Sequence, residues 1–136
     1  MAEQTQAVRT DVDILADIQR WMNSYPPFVN DRHHVQVDMK NGTAYVHGNT
    51  KSPVTRKYVQ EHMREVEGVQ SVDASGLHDD DTIRLALGKL MPAGVIANVE
   101  WGMVVLSGKL PADSEVEALM AQVGTIAGVR RVVTVG

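Results

Sequence analysis

The stretch VQVDMKNGTAYVHG, residues 35–48, has the pattern of two short strands joined by a two-residue turn. Asn41-Gly42 is the strongest short hairpin signal, because both residues accept a positive φ. The stretch VIANVEWGMVVLSG, residues 95–108, repeats the pattern with Trp101-Gly102 at the turn. A two-residue turn fixes the register, and the expected pairs are Val35 with Gly48, Val37 with Val46, Met39 with Ala44, Ala97 with Leu106 and Val99 with Val104.

The second stretch belongs to a repeat that covers most of the chain. A shift of sixty residues aligns glycines and apolar residues without a gap from the hairpin onwards, as in Gly68-Val69 with Gly128-Val129. Upstream of the hairpin the shift becomes sixty-nine residues, so that Ile18 aligns with Leu87. The first copy, unit 1, therefore carries a nine-residue insertion within residues 23–34 that the second copy, unit 2, lacks.

Each unit is predicted to be a helix, two strands, a second helix and a last strand. Two helices against a three-stranded sheet belong to the broad α/β class and form an α+β two-layer sandwich. Periodicity and cap residues give the bounds: first helices over residues 12–23 and 82–91, second helices from Ser52-Pro53 and near Asp113-Ser114, and last strands over residues 69–74 and 129–135. The predicted organisation is a flexible N-terminus over residues 1–10, unit 1 over residues 11–75, a polar linker over residues 76–81 and unit 2 over residues 82–136.

Composition excludes several classes of protein. The chain of 136 residues has a net charge of −4. Nucleic-acid affinity comes largely from Lys and Arg that neutralise phosphates, so an acidic chain without a basic cluster is not expected to bind nucleic acid. The absence of cysteine excludes disulfides and thiolate metal sites. No apolar run is long enough for a transmembrane segment.

The N-terminal residues indicate a compartment. Met1 to Thr10 are polar and lack the apolar core of a secretory signal. This favours a cytoplasmic protein. A periplasmic or cell-envelope protein is the alternative, if a leader has been removed.

The repeated motifs resemble the BON domain, the bacterial osmotic-stress and nodulation domain. They are the hairpin V-x-V-x-x-x-N-G-x-x-x-V-x-G between two helices and the closing G-V-x-x-V at residues 68–72, and they recur in unit 2. BON domains are associated with envelope integrity, anionic phospholipid binding, secretin or channel assemblies and, in some cytosolic members, potassium sensing. The resemblance implies a non-catalytic binding or scaffold protein. An anionic-phospholipid-binding envelope factor and a cytosolic potassium sensor are the alternatives.

Side chains give no sign of a catalytic or metal site. The five histidines lack convergent ligand spacing. The run His78-Asp79-Asp80-Asp81 could offer oxygen ligands to a hard cation, but its carboxylates suit the start of a helix. No nucleophile motif or phosphate-binding loop occurs. We therefore expect no enzyme, no metal and no cofactor, although potassium bound by backbone carbonyls would leave no side-chain signal.

Aromatic residues are concentrated around the insertion of unit 1. Trp21, Tyr25 and Phe28 are three of the six aromatic residues in the chain. Trp21 aligns with an apolar residue of the helix face and is assigned to the core. Tyr25 and Phe28 either cover the open end of that core or contact lipid or a partner.

One sheet face of unit 2 is unexpectedly apolar. The register turns Ile96, Met103 and Val105 away from the helices, where unit 1 has polar residues. An apolar patch on such a face indicates an interface. Unit 1 of the same chain could cover it, or it could join two copies in a homo-oligomer or receive a protein partner, with Trp101 at the hairpin tip as an anchor.

Overall fold

The computed structural model describes residues 9–136, and the flexible terminus predicted for residues 1–10 lies almost entirely outside the described residues. The helices and strands are α1 Asp11–Ser24, β1 Val35–Lys40, β2 Thr43–Thr50, α2 Pro53–Arg64 and β3 Ser71–Asp79 in unit 1, and α3 Asp80–Gly88, β4 Val95–Glu100, β5 Met103–Gly108, α4 Asp113–Gly124 and β6 Arg131–Thr134 in unit 2. Two short 3₁₀ helices, Pro26–Phe28 and Arg32–His34, lie in the insertion. The predicted α+β fold is confirmed, with the same order of elements in both units.

Both sheets have three strands, and the second strand of each hairpin is central. The hairpins pair antiparallel in the predicted register, with Val37 opposite Val46 and Val99 opposite Val104, and the last strand of each unit pairs parallel to the central one. The turn residues Asn41 and Trp101 have φ of 50° and 45°. Asparagine tolerates this conformation, whereas a bulky residue rarely adopts it. Other contacts must therefore hold Trp101 in place.

The predicted linker over residues 76–81 is replaced by regular structure. Strand β3 pairs along the whole of β2 and ends at Asp79, and helix α3 begins at the next residue. Polar composition suggested a linker, but Asp79 is fully buried, accepts a hydrogen bond from the Thr82 amide at 2.8 Å and pairs with Arg56 at 3.4 Å. The chain therefore passes from unit 1 into unit 2 without a flexible segment.

Each unit has its own core between its helices and its sheet. The helical and strand spacing assigns seven residues in each unit to the cores: Ile14, Ile18, Val37, Val46, Val59, Met63 and Val66, and Ile83, Leu87, Val99, Val104, Leu119, Val123 and Ile126. They are buried except for Val37, Val66 and Ile126, which are partly buried at the sheet edge and after the second helices. Five further buried residues complete the core of unit 1, namely Met22, Phe28, Val35, Ala44 and Leu77. Phe28 comes from the insertion and Leu77 from the expected linker. Both segments therefore belong to the core of unit 1.

Candidate functional site

The two units meet around Trp101 at the tip of the unit 2 hairpin. The indole Nε1–H donates to the Asp31 carboxylate at 2.6 Å, and the indole ring stacks on the His34 imidazole with centroids 4.0 Å apart. The Lys51 ammonium lies 4.4 Å from the indole centroid, within cation–π range. Asp31 and His34 come from the insertion. The insertion thus provides part of the surface of unit 1 that contacts unit 2.

Backbone groups of the two units approach closely beside the indole. The Asn49 side chain, only 1% exposed, donates to the Gly128 carbonyl at 2.9 Å. A Cβ on Gly102 would lie 2.6 Å from that carbonyl oxygen, and a Cβ on Gly128 would lie 2.6 Å from the His78 Cβ. Since real Cβ atoms do not approach so closely, glycine is required at both positions. The junction is packed as tightly as a core.

A carboxylate at the start of a helix holds each hairpin turn. Asp80, the first residue of α3, accepts from the Trp101 and Gly102 amides at 2.6 and 3.0 Å. Asp11, the first residue of α1, accepts in the same way from Asn41 and Gly42 at 2.9 and 3.2 Å. Burial raises the pKa of Asp80 above its ordinary value, although the two amides partly oppose this shift. These bonds help Trp101 to keep its positive φ.

Sequence reasoning missed this pair of carboxylates. The three consecutive aspartates were assigned together to the helix start, but only Asp79 caps α3, while Asp81 pairs with Arg84 on the surface. The repeat contained a signal for this pair of carboxylates. Asp11 and Asp80 align with each other at the shift of sixty-nine residues that matches the first helices of the two units.

The predicted interface residues of unit 2 do not form one group. Trp101 is half-buried and contacts unit 1 of the same chain, so it joins the two units, and its predicted role towards an external partner stays a prediction. Ile96 and Met103 are 54% and 40% exposed, and Val105 is half-buried. Unit 1 therefore engages the hairpin tip and leaves much of the apolar face open.

The aromatic residues around the insertion also lie in two different environments, the core and the surface. Phe28 is 0% exposed and belongs to the core of unit 1, so of its two predicted roles the structure supports the core and not a contact with lipid or a partner. Tyr25 is half-buried and stacks on Trp21 at 5.2 Å. Tyr58 and His62 of α2 complete a surface cluster with them, with centroids 5.7 Å apart and the rings nearly parallel. No pattern in the sequence indicated that α2 would contact the insertion.

Other features of the described chain bear on the class of site. Within residues 9–136, no three His, Asp or Glu side chains are grouped so as to hold a metal ion. No helix in that part of the chain has the length and apolar character needed to cross a membrane. The most organised group of polar and aromatic side chains is the junction.

Burial of His34 gives the junction a pH dependence. Desolvation, with the nearby Arg130, lowers the pKa of His34 below its ordinary value of 6.5. The folded state therefore resists protonation of His34, and the stabilisation is complete above about pH 6.5 and is lost as the pH falls. His33 also opposes protonation, whereas Asp31 and Asp80 favour it.

We expect His34→Phe, which keeps a ring against the indole, to reduce the loss of thermal stability between about pH 7 and pH 5. Melting curves of the two proteins across this range measure the difference. The other four histidines are common to both proteins and cancel in the comparison. Identical pH profiles would contradict the proposed role of His34.

Comparison with known proteins agrees with the repeated fold. The family model of the BON domain matches residues 10–77 and again residues 79–135, which together cover nearly the whole chain. A tandem of two α+β modules of one kind is the class that this architecture defines. The chain belongs to the BON domain family.

Two similar solved structures come from CdsD of Chlamydia trachomatis. One is the C-terminal domain of CdsD, described as the structural protein of the type III secretion system; it has 14% sequence identity and a TM-score of 0.37, covering 94% of this chain and 100% of that one. The second, described as a structural protein of the same secretion system, also has 14% identity and a TM-score of 0.37, covering 90% and 92%. No curated protein sequence matches this chain. A likeness of this degree does not transfer the role of CdsD to this protein.

Proposed function

We propose that this protein is a non-catalytic scaffold whose copies associate through the outer sheet face of unit 2. The observation that carries the proposal is the open apolar surface on that face. Ile96, Met103 and Val135 are 54%, 40% and 57% exposed. An exposed patch of this kind is typical of an interface.

The arrangement of the patch suits a self-complementary contact. Across the three strands, one row on this face is Asn98, Val105 and Val133, and the row nearer the open end of the hairpin contains Ile96 and Ser107. Val135 follows the end of β6, and its amide donates to the Leu106 carbonyl at 2.9 Å. The row at the hairpin tip is Glu100, Met103 and Arg131, with one charge of each sign. Homodimer interfaces are more apolar at their centre than the remaining surface. The balanced charges offer no excess positive potential for anionic lipid, which favours a protein surface over a membrane.

Unit 1 provides an internal comparison. Its residues at the positions of Ile96 and Val105 are Gln36 and Tyr45. Because the two sheets have the same topology, the difference lies in the side chains of this face and not in the backbone. Only unit 2 therefore presents an apolar face.

Replacement of Ile96 or Val105 by glutamate is expected to weaken self-association by at least about tenfold, because a carboxylate would have to be desolvated in the interface. Sedimentation equilibrium over a range of concentrations measures the change. Gln36→Glu and Tyr45→Glu are the matched controls, since they add the same charge at the same places in unit 1. The proposal is wrong if the unchanged protein is monomeric throughout, or if both pairs of variants behave alike.

A further inference from the structure

A cleft beside the hairpin tip of unit 2 joins residues of both units. Its volume is about 410 Å³, and it is lined by His34 from unit 1 and by Glu100, Trp101, Met103, Arg130 and Arg131 from unit 2. A neighbouring cleft of about 300 Å³ on the sheet face of unit 1 contains His47 and His78 and is also lined by Arg130. Arg130 therefore lies where the two clefts meet.

The cationic groups of this region have few internal partners. Among residues 9–136, neither Arg130 nor Arg131 forms an ion pair with a carboxylate. The nearby carboxylates of Asp31 and Asp80 already accept hydrogen bonds at the junction. Glu100 is the remaining one, and Met103 separates it from Arg131 across the sheet. Two arginines and one glutamate line the cleft, so its lining carries one net positive charge within a protein whose net charge is −4.

The chemistry of the cleft suits a chain segment that carries both carboxylates and apolar side chains. Trp101 and Met103 offer apolar surface, and Arg130 and Arg131 also line the cleft. Guanidinium groups bind carboxylates with paired, charge-assisted hydrogen bonds. Tryptophan and arginine are also the residues that most often dominate binding at protein interfaces.

We infer that this junction cleft binds an acidic segment of a partner protein, in which glutamate or aspartate side chains alternate with apolar ones. Carboxylates of the segment pair with Arg130 and Arg131, and its apolar side chains lie against Trp101 and Met103. Because His34 and Trp101 come from different units, the site is complete only when the junction is formed.

The inference goes beyond self-association. The two surfaces share the hairpin tip with Met103 and Arg131, but Ile96 and Val105 belong only to the self-association surface and Arg130 only to the cleft. The apolar rows of the outer face lie further along the sheet than the hairpin tip. The Ile96→Glu variant should therefore still bind an acidic segment. Failure of one proposal would leave the other standing.

The direct test is calorimetric titration of the full chain with a capped peptide in which glutamates alternate with leucines. The counterpart with glutamine in place of glutamate serves as the uncharged probe. We expect saturable binding of the acidic peptide only, and weaker binding at high salt. In a Trp21→Phe background Trp101 is the sole tryptophan, so a change in its emission locates the peptide at the cleft.

The matched variant is Arg130→Gln/Arg131→Ser, which introduces the residues that unit 1 has at the same positions, Gln70 and Ser71. We expect this change to weaken peptide binding by about tenfold or more for each arginine. Lys57→Gln/Arg64→Gln, on the exposed side of α2, removes the same charge and should leave the affinity unchanged. If the double variant does not fold, Arg131→Ser alone tests the same point on an exposed strand.

Three results would overturn the inference. The first is that the unchanged protein binds neither peptide or binds both equally. The second is that the Arg130/Arg131 variant and the α2 control have the same affinity. The third is binding to vesicles containing anionic phospholipid without binding to the acidic peptide, which would identify a membrane as the occupant.

Discussion

Phe28→Ala is expected to lower the free energy of unfolding by about 3–5 kcal/mol, the range for a buried phenylalanine. The side chain is 0% exposed and stacks on Trp21 at a centroid distance of 6.1 Å. Its removal would leave a cavity between α1 and the insertion, because neighbouring residues relax only partly. Chemical denaturation monitored by circular dichroism measures the loss.

Val29→Ala is the control for Phe28→Ala. Val29 is the next residue and is 48% exposed. A surface change of this kind alters stability by no more than about 0.5 kcal/mol. Equal effects of the two substitutions would mean that the insertion does not belong to the core of unit 1.

Trp101→Ala is expected to cost about 3 kcal/mol, at the low end of the range for buried tryptophans because the indole is half-buried. The change removes the stacking on His34 and leaves the Asp31 carboxylate without the indole N–H. Both losses fall on the contact between units, so we expect the single unfolding transition to separate into two. Calorimetry detects the separation directly.

Two further substitutions separate the causes. Trp101→Asn gives unit 2 the turn residue of unit 1 and relieves the strained φ, so any remaining destabilisation comes from lost junction contacts. Trp101→Phe keeps a ring for stacking and removes only the indole donor. If Trp101→Asn proved more stable than the unchanged protein and still unfolded in one transition, the indole would have no role in holding the units together.

The local parts of the fold could be predicted because their causes are local. The turn at Asn41-Gly42 is encoded by two adjacent residues, and the repeat carried the same interpretation to Trp101-Gly102 although tryptophan is a poor turn residue. The predicted register is confirmed in full. A pattern of period two leaves little freedom once the turn is known.

The junction could not be predicted, because its contacts join residues far apart in the sequence. Asp31 and Trp101 are separated by 70 residues and Asn49 and Gly128 by 79. No periodicity or motif relates such pairs. The repeat does not indicate these contacts either, because unit 1 has asparagine at the position of Trp101 and unit 2 lacks the insertion.

The direct passage from β3 into α3 affects how the gene can be divided. Asp79 is buried against α2 and caps α3, and Asp80 holds the turn at Trp101. A coding fragment for unit 1 that stops before Leu77 would lack part of its own core, and a fragment for unit 2 that starts after Asp80 would lack the support of its own turn. The residues at this passage serve both units, because Leu77 belongs to the core of unit 1, Asp79 contacts both units and Asp80 supports the turn of unit 2. The two units share one repeated pattern, yet both use Asp79, so no single cut leaves each of them with all of its contacts.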